Sequence, residues 1–81
     1  MNITVPKGCS VAPDFIRGQL AYRFTSQPGR TFIIKRLAHD RWRCWSSLED
    51  MAIDKGAGGS GTLSQTMYLA NRYAKIQEGL G

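Results

Sequence analysis

The sequence predicts an α+β fold of order α-β-β-β-α: a short N-terminal helix, a three-stranded antiparallel meander, and a C-terminal amphipathic helix packed on one face of the sheet. Two observations carry this prediction. Residues 19–47 contain three runs rich in β-branched and aromatic side chains, with turn signals between them. Residues 62–80 place apolar side chains at helical spacing. A chain of 81 residues has room for one core, so we expect a single small basic domain over residues 1–81.

The N-terminal helix is predicted from the segment APDFIRG (12–18). Pro13 suits the first position of a helix, Asp14 suits its positive end, and Gly18 suits the residue just after the last turn. We therefore expect a short helical turn before the sheet.

The predicted strands are QLAYRFTS (19–26), TFIIKRLA (31–38) and RWRCWSS (41–47). A Pro-Gly turn and a His-Asp turn separate them, which indicates an antiparallel meander. Alternation predicts that the side chains facing the helix are Leu20, Tyr22, Phe24, Trp42 and Cys44. The register of the second strand stays open, because either the pair Phe32 and Ile34 or the pair Ile33 and Leu37 can face the helix.

Two helical segments are predicted after the strands. SSLEDMAID (46–54) fits one or two turns, with Ser47 and Asp50 at capping-box spacing. Thr62 and Gln65 form a T-x-x-Q capping box at the start of the long helix. Its predicted apolar half contains Leu63, Met67, Leu69, Ala70, Tyr73, Ala74, Ile76 and Leu80. Its predicted polar half contains Ser64, Gln65, Tyr68, Asn71, Arg72, Lys75 and Glu78.

The segment KGAGGSGT (55–62) matches G-x-G-x-x-G through Gly56, Gly58 and Gly61. A dinucleotide-binding loop also needs a following strand with an acidic residue, and a Walker loop needs Lys before Ser or Thr after its last glycine. The sequence shows neither. We therefore interpret 56–61 as a glycine-rich connector. A weaker alternative is that free N–H groups at the helix start, with Lys55, contact one phosphate.

No residue pattern predicts an enzyme, a metal site or a cofactor. His39 is the only histidine, and no nucleophile or second carboxylate accompanies it in the sequence. Cys9 and Cys44 match no zinc spacing and are expected to be thiols, with a disulfide or a Cys9-linked dimer as an alternative in oxidised preparations. The sequence contains no apolar run of membrane-spanning length and no signal-peptide pattern, so we expect a soluble cytoplasmic protein.

Basic residues are concentrated in the middle of the chain. Residues 15–45 hold seven Lys and Arg residues against one acidic residue, in a chain of net charge +5. This favours an anionic partner, either nucleic acid or an acidic protein surface. The predicted contact residues on the sheet face away from the helix are Arg23, Arg41, Arg43 and Trp45, with Lys35 or Arg36 according to the register. Tyr68 and Arg72 form a second exposed pair on the helix, and Trp45 alternatively completes the core.

Three resemblances bear on function. The element order resembles the double-stranded RNA-binding domain, although Thr62 to Gln65 lack the lysine cluster with which that family starts its last helix. The strands and last helix resemble the sheet-reading DNA-binding domains of phage integrases and AP2-type factors. That resemblance implies base or phosphate contacts from Arg23, Lys35, Arg41, Arg43 and Trp45. In size, charge and architecture the whole chain resembles phage-borne anti-CRISPR proteins.

These resemblances imply two expected functions. The first is a non-enzymatic inhibitor, encoded by a phage or mobile element, that blocks a host nucleoprotein complex by occupying an anionic site with its basic sheet face. The alternative is a module that binds DNA or RNA directly, in regulation or recombination. Neither expectation includes a cofactor or a membrane.

Overall fold

The computed structural model describes residues 5–57 and 59–80, with Gly58 of the glycine motif and the side chain of Leu80 outside the described parts. It shows a five-stranded antiparallel sheet of order β1-β2-β3-β4-β5. The strands are β1 (Ser10–Ile16), β2 (Gln19–Thr25), β3 (Thr31–Ala38), β4 (Arg41–Trp45) and β5 (Ser60–Gly61). A short helix α1 (Leu48–Ala52) follows β4, and a long helix α2 (Leu63–Leu80) follows β5.

The predicted N-terminal helix is wrong, because the segment expected to form it is strand β1. β1 pairs with β2 along its whole length, with Pro13 opposite Tyr22. It is an edge strand, where proline is tolerated because its missing N–H does not interrupt a central ladder. Arg17 and Gly18 have φ angles of 54° and 77° and form the two-residue turn of the β1–β2 hairpin. Positive φ at both positions is the requirement of a type I′ turn.

The predicted three-stranded meander is also wrong, because β1 adds one strand and β5 adds another. β5 lies within the glycine-rich segment and consists of two residues. Ser60 pairs with Arg43, and Gly61 pairs with Trp42. The segment between α1 and α2 therefore closes the second edge of the sheet over part of its length.

Strand β3 is buried on both faces, which explains why the sequence leaves its register open. Tyr22 lies opposite Ile34 and Phe24 lies opposite Phe32, so both β3 residues face α2. Ile33, between them, faces the other way and is 3% exposed. A strand with apolar neighbours on both faces shows a continuous apolar run instead of alternation.

The main core lies between the sheet and α2. Its buried members are Phe24, Phe32, Ile34, Cys44, Ala57, Met67, Ala70 and Ala74. The predicted capping box is confirmed: the Gln65 N–H donates to Thr62 Oγ1 at 3.2 Å, and the Thr62 N–H donates to Gln65 Oε1 at 3.1 Å. Asn71, expected on the polar half, is buried instead, and its Oδ1 accepts from the Gln27 N–H at 2.9 Å.

A smaller core lies on the opposite face, under α1. It contains Ile16, Ala21 and Ile33, with Met51 of α1 packed against them. The predicted cap of α1 is confirmed, because Ser47 Oγ accepts from the following helical N–H of Asp50 at 3.1 Å. The sheet therefore carries a helix on each face, and neither helix covers its face completely.

Candidate functional site

The sheet face away from α2, which the sequence predicts as the binding surface, is partly covered by α1 and the loop after it. Trp45 is only 3% exposed, and its indole N–H donates to Asp54 Oδ1 at 3.3 Å. Trp45 therefore completes the core, as the alternative interpretation expects, and does not present its ring on an open surface.

Arg23 on this face is held by a carboxylate. Its Nε donates to Asp14 Oδ2 at 2.5 Å across the β1–β2 pair. This hydrogen bond from Arg23, together with one from the Phe15 N–H, lowers the pKa of Asp14 below its usual value. The positive charge of Arg23 is therefore compensated locally at neutral pH.

Arg43 is enclosed by the glycine-rich segment. Its Nε lies 3.2 Å from Asp54 Oδ1, within ion-pair distance. The N–H is poorly aligned with that oxygen, so Nε is buried without a hydrogen-bond partner among the described residues. A Cβ at Gly56 would lie 2.9 Å from Arg43 Nε and Nη2, so a larger residue there would displace the end of the Arg43 side chain. Arg43 is therefore positioned by Asp54 and the glycine-rich segment, with 34% of its side chain exposed.

The remaining predicted cations of the sheet are divided between its two faces. Lys35 lies opposite Arg43 and shares its face. Arg36 lies opposite Trp42, on the face that carries α2. Arg41 is exposed at the start of β4, beside the β3–β4 turn. The structure therefore places Arg23, Lys35 and Arg43 on the predicted face and Arg36 on the opposite one.

The other candidates stand apart from the sheet surface. Tyr68 is 60% exposed on α2, and Arg72, one turn later, is exposed as well. His39 Nε2 lies 3.2 Å from Asp40 Oδ2 at the tip of the β3–β4 hairpin, where both side chains are exposed.

Burial raises the pKa of Cys44 to about 12, so its thiol is not ionised at neutral pH. In the described part of the chain, no three His, Cys, Asp or Glu residues are grouped to hold a metal ion.

The geometry reveals a different surface on the α2 face. Phe15 and Leu20 lie opposite each other in the β1–β2 hairpin and are 72% and 50% exposed. Next to them, the rings of Tyr22 and Trp42 are 5.7 Å apart and only half-buried. We call this surface the open half-face, and it consists of Pro13, Phe15, Leu20, Tyr22, Arg36 and Trp42.

Strand register places these six residues on one face. Phe15 is opposite Leu20 and Pro13 is opposite Tyr22, and directly opposed residues of an antiparallel pair share a face. Tyr22 is opposite Ile34 on β3. Arg36 follows Ile34 by two residues and is opposite Trp42 on β4.

The open half-face is open because α2 crosses towards the other end of the sheet. The hydrogen bond from Gln27 to Asn71 ties α2 to the β2–β3 turn. The β1–β2 and β3–β4 turns lie at the opposite end, where α2 reaches β4 through a hydrogen bond from Thr66 Oγ1 to the Trp42 carbonyl at 3.3 Å but leaves Phe15 and Leu20 exposed. The uncovered area therefore adjoins the two hairpin turns, whose cations are Arg17 and Arg41.

The positive charge within the open half-face is that of Arg36, and the exposed Arg17 stands at its rim, in the adjoining β1–β2 turn. At the β3–β4 edge, Arg41 alternates with Trp42 towards the other face and directly follows the acidic Asp40 of the turn. None of these three arginines forms an ion pair with any residue that the structure describes. Asp14 alternates to the other face, opposite the buried Ala21. This end of the α2 face therefore combines exposed aromatic rings with arginines that have no ion-pair partner among the described residues.

Sequence reasoning missed Phe15 because it placed this residue in a helix, and it assigned Leu20, Tyr22 and Trp42 to the core. One local signal was present: Gly18, between two apolar stretches, can adopt the positive φ that a two-residue hairpin turn requires. The exposure of these side chains depends on how far α2 extends across the sheet, which no local pattern encodes.

Comparison of the chain with protein families, with curated proteins and with solved structures finds no match in any of the three. None of the described helices has the length and apolar character needed to cross a membrane. The functional proposal therefore rests on the surface chemistry of this chain alone.

Proposed function

We propose that this protein is a non-enzymatic binding protein that holds a nucleic acid on the open half-face. The observation that carries the proposal is the exposure of aromatic rings beside Arg36, on a face to which no described carboxylate contributes. Guanidinium groups pair with phosphates, and aromatic rings stack on bases. The combination fits a ligand that has both groups.

The proposal moves the binding surface from the face expected from the sequence to the opposite face. On the face under α1, Arg23 and Arg43 are each paired with a carboxylate, and Lys35 has no ion-pair partner among the described residues. Arg36, with Arg17 and Arg41 at the rim, supplies the phosphate contacts in their place. Lys35, Tyr68 and Arg72 lie outside this surface and are not required by the proposal.

A second candidate function is steric inhibition of a nucleoprotein complex, by a protein encoded by a phage or mobile element. The pair Phe15 and Leu20 favours it, because exposed apolar side chains next to arginine are typical of protein–protein contact sites. Both candidates place the ligand in the cytoplasm, where Cys9 and Cys44, free in this structure, remain thiols.

The test is fluorescence anisotropy of labelled single-stranded and duplex oligonucleotides across a salt series. Three arginines that neutralise phosphates give a log–log salt slope of roughly −2 on single strands and roughly −2.7 on duplex. Micromolar binding at about 150 mM salt with such a slope supports the proposal. Absence of binding to every oligonucleotide at low salt overturns it, and a host protein complex then becomes the target for affinity capture.

A further inference from the structure

We infer that the ligand of the open half-face is a single-stranded nucleic acid, with its bases stacked on Phe15, Tyr22 and Trp42 and its phosphates on the rim arginines. This inference rests on the proposed function and adds the ligand class. It is based on an exposed aromatic surface that lies next to the basic residues of two adjacent hairpin turns.

The aromatic rings distinguish a single strand from a duplex. Bases in a duplex are already stacked on each other, so their faces are unavailable to a protein side chain, whereas an unpaired strand offers every base. Phe15 is 72% exposed, and a ring so placed on a duplex would meet the sugar–phosphate backbone. Burying the apolar ring of Phe15 favours binding only when the ring contacts a base or another apolar group.

The rings are fixed in place before any ligand binds. Tyr22 and Trp42 pack against the α2 core on one side. Their rings are inclined at 44° with centroids 5.7 Å apart, so they hold each other. A surface that is ordered in advance loses little side-chain entropy when a base stacks on it.

The dimensions of the open half-face match a short segment of single strand. It extends from β1 to β4, and three inter-strand spacings give about 14 Å. Sheets that bind RNA through aromatic side chains stack two or three bases. Arg36 lies within this span, and Arg17 and Arg41 lie at its hairpin edge, where a backbone crossing the strands passes.

Charge favours a nucleic acid over an apolar protein segment. The apolar pair Phe15 and Leu20 alone would suit either ligand. Arg17 and Arg36 lack a described carboxylate partner, so an uncharged apolar segment would leave their two charges uncompensated at its border. A protein ligand remains one outcome of the test.

The experiment uses the Trp45→Phe variant, which leaves Trp42 as the only indole. Unlabelled oligo-dT of about 12 nucleotides and a duplex of equal phosphate content are titrated while Trp42 fluorescence is recorded. We expect oligo-dT to quench the fluorescence and to bind at least about tenfold more tightly than the duplex. If Trp45→Phe fails to fold, the wild type compared with Trp42→Phe gives the same information.

Two exposed aromatic residues provide a test variant and a matched control for base stacking on the open half-face. Phe15→Ala should weaken oligo-dT binding by roughly 5- to 150-fold, since stacking of one base contributes about 1–3 kcal/mol. Tyr68→Ala removes another exposed ring, on the outer side of α2, and should leave the affinity unchanged. Both side chains are exposed, so neither change alters the core.

The outcomes separate this inference from the proposed function. Duplex binding equal to that of oligo-dT, without Trp42 quenching, overturns the single-strand inference and leaves nucleic-acid binding standing. A loss of affinity in Tyr68→Ala, with none in Phe15→Ala, overturns the assignment of the surface. Absence of binding to both oligonucleotides overturns the inference and the proposed function together, and directs the search to a protein ligand.

Discussion

Arg23 and Arg36 are both exposed arginines of the sheet, but they differ in local charge. Arg23 pairs with Asp14, whereas Arg36 donates only to the Ala38 carbonyl, at 3.3 Å. The sequence shows seven basic residues between positions 15 and 45 without showing which of them have acidic neighbours. Residue identity therefore predicts an anion-binding surface, and pairing across strands decides which arginines are available for it.

The first prediction compares these two arginines. Arg36→Gln should weaken nucleic-acid binding by about fivefold to tenfold, since a charge-assisted phosphate contact contributes roughly 1–1.5 kcal/mol in a partly exposed site. Arg23→Gln removes the same charge from the opposite face and should change affinity by less than about twofold, through the screened long-range field alone. Anisotropy at one fixed salt concentration measures both. A larger loss for Arg23→Gln would contradict the surface assignment.

The second prediction concerns the two thiols. Cys44 is fully buried with a pKa raised to about 12, and Cys9 is only half-buried. Burial also raises the pKa of Cys9, so its thiol should react slowly with an aromatic disulfide reagent at neutral pH and faster as the pH rises. The Cys44 thiol should react only when the protein unfolds.

Cys9→Ala isolates Cys44 for this measurement. One thiol should react in the folded wild type, and none should react in folded Cys9→Ala until denaturant is added. Rapid labelling of Cys44 in folded Cys9→Ala would show that β4 does not face α2 as described. The sequence predicted this inward orientation from the alternation of Trp42 and Cys44, and the structure confirms it for Cys44.

Among the elements, α2 was predictable because its signals are local. A capping box at Thr62 and an apolar spacing of three to four residues identify a helix without reference to the rest of the chain. Strand β5 was not predictable, since two residues of a glycine-rich segment show no periodicity. They pair only because β4 is adjacent. Strand β1 was missed because a left-handed glycine ends a helix as readily as it forms a hairpin turn.

The third prediction tests the β1–β2 hairpin at Arg17, whose φ of 54° is left-handed. Asparagine adopts this conformation easily, and a β-branched residue does not. Arg17→Val should therefore be less stable than Arg17→Asn by about 1–2 kcal/mol, measured as the difference in unfolding free energy in urea. In a helix these two residues have similar propensities. Equal stability of the two variants would favour the helix that the sequence predicts.

On the scale of the whole molecule, the proposed binding surface results from incomplete coverage of a sheet. Helix α1 packs its Met51 against Ile16, Ala21 and Ile33 on one face, and α2 leaves Phe15 and Leu20 of the other face exposed. The sequence predicted a sheet with one helix on it and one open basic face. It predicted helical turns at 46–54 but not their place on the second face, because that place depends on Met51 packing against Ile16, Ala21 and Ile33, which are distant in the sequence.

The central claim is that nucleic acid binds on the open half-face, and backbone amide mapping by NMR tests it most directly. Uniformly ¹⁵N-labelled protein is titrated with oligo-dT, and the amide shifts are followed residue by residue. The shifts should concentrate at Phe15, Leu20, Tyr22, Arg36 and Trp42. Shifts concentrated at Arg23, Lys35 and Ile33, on the face under α1, would contradict the claim, as would spectra that do not change.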